Sequence, residues 1–293
     1  VDPELNIEIT DASIVPQISE TFDEGRRGVP SADFAATADA GHGEVAIEGF
    51  VYPTSIGHLL MAMFGADAKT GASDPWTHTF DVQEDVPSYT IEERLLGTGS
   101  NDGLRSVGSV LSALNFTFER ATGVLRYTSQ WLGNIPEIVT VIDPSPNFEE
   151  GIQGWKAAVT STNLTNRVLA GEINFSRESQ VIHATNNSQQ PKCVEVGPVR
   201  IEGQLTLLTD TLVDFTSFIT DVKQQLAISF AKGVTPARTL NFNIQNAALA
   251  ASPIDWDMGG VALLNRLSFR AIHNSTDDGP GVAVLINGQT DAY

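Results

Sequence analysis

The chain has 293 residues, 41% of them hydrophobic and 18% charged, with 36 acidic against 17 basic residues and a formal net charge of -19. That length can bury one large or two medium cores, and no run nears the roughly 18 consecutive apolar residues of a membrane helix. So acidic a surface repels phosphate backbones and argues against tight nucleic-acid binding, and the single cysteine, Cys193, leaves no intramolecular disulfide.

In chain order, the segment from Ser19 to Asp33, with the adjacent Arg26 and Arg27, is too long for a hairpin turn. The stretch "EVAIEGFVYPTSIGHLL" follows. Its first part puts Val45, Ile47 and Val51 on one face and Ala46, Glu48 and Phe50 on the other, which predicts a strand. A helix is predicted next in "PTSIGHLLMAMFG", where Ile56, Leu59, Leu60 and Met63 fall at i, i+3, i+4 and i+7, with Gly65 just past the end. Leu95 to Ser106, containing "GTGSNDG", reads as a second long loop. "SALNFTFER" and "VLRYTSQWL" alternate as strands, with "ATG" between them as a turn.

"NIPEIVTVIDPSPNFEEG" carries Pro136, Pro144 and Pro146, which cannot supply sheet hydrogen bonds, and is read as a linker between domains at 1–150 and 151–293. Beyond it "VLAGEINFSRE", "VRIEGQLTLL", "QQLAISFA", "RTLNFNI", "LLNRLSFRAI" and "GVAVLI" read as short strands. A second helix is predicted in "TDTLVDFTSFI", on Leu212, Phe215 and Ile219. Many short strands separated by Gly, Pro, Asn and Asp clusters predict a mainly β fold, a sandwich or half-barrel, with one packed helix in each half.

The two halves also match each other. "VAIEG" at Val45 matches "VRIEG" at Val199, the two helices follow at nearly the same offset, and "PSYTIEE" matches "PARTLNF". "ALNFTF" then matches "NRLSFR", with Phe116 over Phe269, and "GVLRYTSQ" matches "GVAVLING". Five matches in one order point to a tandem duplication.

Chemistry is weakly signalled. Glu48 and Glu202 would have to converge on one substrate to work as an acid–base pair, whereas equivalent positions in two repeats are normally held apart. They are read as strand residues facing solvent or a ring interior. "GTGSNDG" lacks the GxxxxGK[ST] pattern of a phosphate loop. "NSTDDG" from Asn274 imitates the start of a calcium loop but has Leu285 at the twelfth position, where a Glu is needed; a hairpin tip is expected, with a weak cation site as the alternative. His42, His58, His78, His183 and His273 have no zinc-motif company, and Cys193 has no nearby His in sequence. The expectation is a non-enzyme with no catalytic, cofactor or metal residues.

The order of elements in "VAIEGFVYPTSIGHLLMAMFGA", "HTFDVQEDVPSYTIEERL" and "GSVLSALNFTFERATGVLRYTSQW" resembles the major tail tube proteins of long-tailed, non-contractile viruses, and the resemblance extends more faintly over the second half. It implies a virion protein, assembled in the host cytoplasm, whose copies form rings with inner sheets joined into one β-barrel. The rings stack with other tail proteins into a tube that conducts viral DNA during ejection. A duplicated chain implies three copies to a ring of six domains. On this reading Glu48 and Glu202 are lumen candidates and Arg26 and Arg27 are inter-ring contact candidates. The acidic balance would let DNA slide, although it also fits simple solubility or a high-salt host. A carbohydrate-binding surface β-sandwich is the alternative reading; it wants clustered exposed aromatics, and Trp76, Trp131, Trp155 and Trp256 are scattered in sequence.

Overall fold

Period-two alternation along most of the chain sends apolar side chains to one side of a sheet and polar ones to the other, and the computed structural model follows that pattern. It describes residues 7–24, 33, 35–94, 102–119, 123–140, 149–161, 168–185, 188–208, 223–232, 238–256, 263–275, 278–288 and 293. The first half comprises β1 (Asp11–Gln17), β2 (Glu20–Phe22), β3 (Ala36–Ala38), β4 (His42–Phe50), α1 (Ile56–Phe64), β5 (Gly65–Thr70), β6 (Trp76–Val82), β7 (Tyr89–Arg94), β8 (Asp102–Glu119), β9 (Arg126–Gly133) and β10 (Glu137–Thr140). A single 3-10 turn at Gly154–Lys156 leads to β11 (Ala158–Thr160), β12 (Val168–Ile182), β13 (Cys193–Leu208), β14 (Gln224–Lys232), β15 (Arg238–Trp256), β16 (Leu263–Ala271) and β17 (Val282–Asn287).

The fold is mainly β, as the alternation predicts. β1, β4, β9, β8, β12, β13, β16 and β15 lie side by side in that order, and every adjacent pair is antiparallel. The same pattern of connections runs twice across this sheet: β1–β4–β9–β8 comes from the first half and β12–β13–β16–β15 from the second. β8 and β15 are long because each changes partners partway. β8 pairs with β7 and β10 early and with β9 and β12 late; β15 pairs with β14 and β17 early and with β16 late. The early part of β15 and β14 turn over the sheet, and β17, β6 and β5 continue from β15.

The core lies between these layers and is shared by the two halves. Phe116 and Phe175 from β8 and β12 pack on Phe242 from β15, with ring centroids 5.0 and 5.1 Å apart. Phe118 meets Phe230 at 5.1 Å, and Phe64 of α1 meets Phe175 at 5.6 Å. Each pair adds about 0.5–1.5 kcal/mol beyond the area it buries.

α1 forms where its apolar spacing predicts. Ile56, Leu59, Leu60, Met63 and Phe64 are buried, and Gly65 ends the helix at φ 98, a left-handed conformation that glycine adopts without steric cost. Arg177 of β12 completes this helix end. Its buried guanidinium donates Nε to the Met63 carbonyl at 2.9 Å, Nη2 to the Phe64 and Gln83 carbonyls at 3.4 and 2.7 Å, and Nη1 to Gly197 at 3.1 Å. A cation is favoured at a helix C-terminus, where carbonyls lack partners. Burial lowers the guanidinium pKa from its ordinary value, yet arginine stays charged at neutral pH.

Two sequence readings change here. The stretch read as a pure linker contains β10, because "EIVT" sits between Pro136 and Pro144 and its β-branched residues pair with Asp102–Arg105. The repeat match also shifts at its C-terminal end. Phe269 lies on β16, which occupies beside β13 the place that β9 occupies beside β4, so its counterpart in the sheet is Tyr127 and not Phe116. Likewise β17 follows β16 as β10 follows β9. The second helix, at 209–219, lies outside the described residues.

Candidate assembly surface

The "IEG" of each half is explained by its two faces. Gly49 is paired with Tyr127 and Gly203 with Phe269. A Cβ at Gly203 would stand 2.3 Å from the Glu172 carbonyl oxygen and 2.4 Å from the Phe269 ring; at Gly49 it would stand 2.9 Å from the Glu8 carbonyl oxygen and 3.0 Å from the Tyr127 ring. An aromatic ring covers a bare backbone in both places, a device that fixes register. The preceding glutamates point the other way, out of the core.

There they join one continuous row. Asp11, Glu48, Thr128, Asn115, Asn174, Glu202, Arg270 and Ala248 are successive partners across the eight strands. The next row on that face runs Phe50, Arg126, Thr117, Glu172, Gln204, Ser268 and Ala250. These residues are exposed or half-exposed, whereas their neighbours along each strand, such as Val45, Tyr127, Phe116, Phe175, Ile201 and Phe269, are buried. One face of the sheet is therefore core and the other is a broad polar wall, with a shallow groove along Thr117, Glu119, Arg126, Ala170, Glu172, Gln204 and Thr206.

Charge is unevenly spread on this wall. The β1–β4 end presents Asp11, Glu44 and Glu48. At the far end Glu202 sits between Arg270 at 3.3 Å and Arg200 at 3.7 Å, with Arg266 four residues from Arg270 along β16. Exposed pairs of this kind contribute about 0–1 kcal/mol each, but they neutralise Glu202 locally, which Glu48 does not share.

Glu48 and Glu202 therefore lie on one face and in one row, four strand spacings apart, roughly 19 Å along the sheet. That separation cannot make an acid–base pair on a single bond. Arg26 and Arg27 lie outside the described residues, as do 97–101 of "GTGSNDG". In "NSTDDG" the Asn274 amide closes the turn by donating to the Gly279 carbonyl at 3.1 Å, as a hairpin tip requires.

Sequence reasoning missed a buried polar cluster beneath α1. His78 Nδ1 meets the Asp67 carboxylate at 2.9 Å with both side chains buried, and the Tyr293 ring packs on His78 and His58. Asn287 donates to the Pro53 carbonyl at 2.8 Å and contacts the Tyr293 hydroxyl. Burial raises the Tyr293 pKa above its ordinary value. The cluster is enclosed and joins α1, β5, β6 and β17, so it serves packing. The four tryptophans assemble no common surface among the described side chains: Trp131 is in the core against Tyr89, Trp76 lies under Lys69, and Trp155 is exposed on the 3-10 turn.

The eight antiparallel strands form one two-faced sheet, with edges at β1 and late β15 that are open among the described residues. The chain belongs to the phage tail tube protein family, whose profile matches residues 22–281. It is thus a structural protein of the virion tail. No curated protein matches the chain.

Proposed function

We propose that three copies of this chain close into a ring of six tube units, two per chain at 1–150 and 151–293. The rings stack, with other tail proteins at the ends, into the tube through which viral DNA passes during ejection. The polar wall forms the lumen, with Glu48 and Glu202 on it, and the aromatic core lies outside it. One observation carries this reading: the polar row runs unbroken across both halves, with the same order of strands in each.

Among the described residues the eight-stranded sheet is not closed within one chain. Head-to-tail repetition removes both open edges when the rotation between copies brings the chain back on itself. Net negative charge then keeps phosphates from adsorbing to the passage, and the carboxylates least balanced by arginine, Asp11 and Glu48, dominate that repulsion. Inter-ring contacts through Arg26 and Arg27 are part of the same proposal; replacing both by Glu should impair tube growth, and normal polymerisation would sink that contact. Negative-stain microscopy of the purified protein tests the whole reading. Rings or tubes with a central hole support it, and monodisperse single chains at high concentration contradict it.

A further inference from the structure

We propose that the open edge of β1 in one copy pairs antiparallel with the open edge of late β15 in the next copy, with Asp11 opposite Ala248. The inference rests on the ring reading above and adds the strands and register of the joint.

The internal junction between the halves supplies the template. There β8 pairs antiparallel with β12, and Asn115 stands opposite Asn174. Asn174 is the partner of Glu202 on β12 as Asp11 is the partner of Glu48 on β1. Asn115 is reached from Glu48 through Thr128, as Ala248 is reached from Glu202 through Arg270. Transferring the junction residue by residue sets Asp11 against Ala248 and Ile9 against Ala250.

Both edges suit this joint. The carbonyl of Glu48, the residue opposite Asp11, takes the Thr10 N–H at 2.8 Å. Asp11 therefore faces β4, and by strand alternation the backbone of Ala12, Ile14 and Pro16 points outward, where Pro16 needs no N–H partner. No described strand pairs with β1 on that side. On β15 the Ile272 N–H donates to the Asn246 carbonyl at 2.9 Å, so by alternation Ala248 and Ala250 face β16 and the backbone of Leu249 and Ala251 faces the side that β14 takes only up to Ala247. Asp11 and Ala248 then form a non-hydrogen-bonded pair with little side chain in the way. Ile9, 46% exposed, would be covered.

Charge selects the direction. The β1–β4 end carries Asp11, Glu44 and Glu48, while β16, next to β15, carries Arg266 and Arg270. Acidic end meets basic end in a head-to-tail joint. Two β1 edges meeting each other would oppose carboxylates, and such juxtaposition is selected against. The lumen face stays continuous across the joint, because Asp11 and Ala248 both lie on it.

Cysteine pairs test the register. In a Cys193→Ser chain, Asp11→Cys with Ala248→Cys places Cα atoms about 5 Å apart across the joint, within disulfide reach. Oxidised assemblies should give bands at two and three chain masses on a non-reducing gel, while the shifted pair Ile9→Cys with Ala248→Cys should give at least tenfold less. Tubes in the microscope with no cross-link, or with equal cross-linking in the shifted pair, overturn the joint and leave the ring reading standing. Absence of rings in the Cys193→Ser chain itself overturns both.

Discussion

Arg177→Met is the most informative single substitution for how the two halves hold together. Methionine retains much of the arginine stem's packing but removes every donor, leaving the carbonyls of Met63, Phe64, Gln83 and Gly197 without this partner. A buried polar group left unsatisfied costs about 1–3 kcal/mol, and loss of the cation at the helix end adds up to about 2 kcal/mol. Water can reach some of these carbonyls after the change, so the terms do not sum fully, and a loss of about 3–5 kcal/mol is expected. That is a large share of a domain's total stability of about 5–15 kcal/mol. Urea unfolding of the dilute, unassembled chain, followed by tryptophan fluorescence, measures it as a lower midpoint at unchanged slope. Arg177→Lys, which keeps charge but cannot fork to several carbonyls, should fall between. A loss below about 1 kcal/mol for Arg177→Met would refute the claim that this side chain ties β12 to α1.

Gly203→Ala should destabilise by about 3 kcal/mol or more, since its Cβ meets a backbone oxygen at 2.3 Å, while Gly49→Ala, with contacts of 2.9–3.1 Å, should cost about 1–2 kcal/mol; equal midpoints in thermal unfolding would contradict the ring-over-glycine account. The Tyr127 hydroxyl is buried without a hydrogen-bond partner among the described residues, so Tyr127→Phe should leave stability unchanged or raise it, and a loss above about 1 kcal/mol would show a missed contact. Burial pushes the Tyr89 pKa from 10.0 up to about 12. Its raised folded value means that this contribution is complete below pH 10 and is lost as pH rises toward 12, so Tyr89→Phe should resist alkaline unfolding better than the parent chain in a circular-dichroism titration. On the wall, Asp11→Asn with Glu48→Gln should slow genome ejection more than Glu202→Gln, which Arg200 and Arg270 already balance; ejection kinetics unchanged by all three would remove the acidic passage from the account.

Alternation made most strands legible, because one buried face demands it: "VAIEGFV", "LNFTF" and "VRIEGQLTLL" each kept the parity their apolar residues imposed. α1 was legible for the same reason at helical spacing, with Gly65 marking its end. The bends were not. Nothing in "NFNIQNAALAASPIDW" announces that β15 passes from β14 to β16 at Ala247. Strand position was also hidden, since Phe269 and Phe116 share a local pattern while only pairing distances tell that Phe269 stands where Tyr127 does. Nothing in "NFSRE" sets Arg177 apart, and its burial depends on carbonyls at Met63 and Gln83 that lie far away in sequence. The polar wall had a usable signal: Asn115, Thr117 and Glu119 alternate with Leu114, Phe116 and Phe118, as Asn174 does with Ile173 and Phe175. Each glutamate of "IEG" was visible as a strand residue, but the row that joins them needed the sheet.

A cryo-electron reconstruction of the assembled tube, computed without imposed symmetry, tests the central claim most directly. The account expects three chains per ring, each supplying two sheet units, with Glu48 and Glu202 both facing the lumen. Six chains per ring, or a wall lined by the aromatic core side of the sheet, would contradict it.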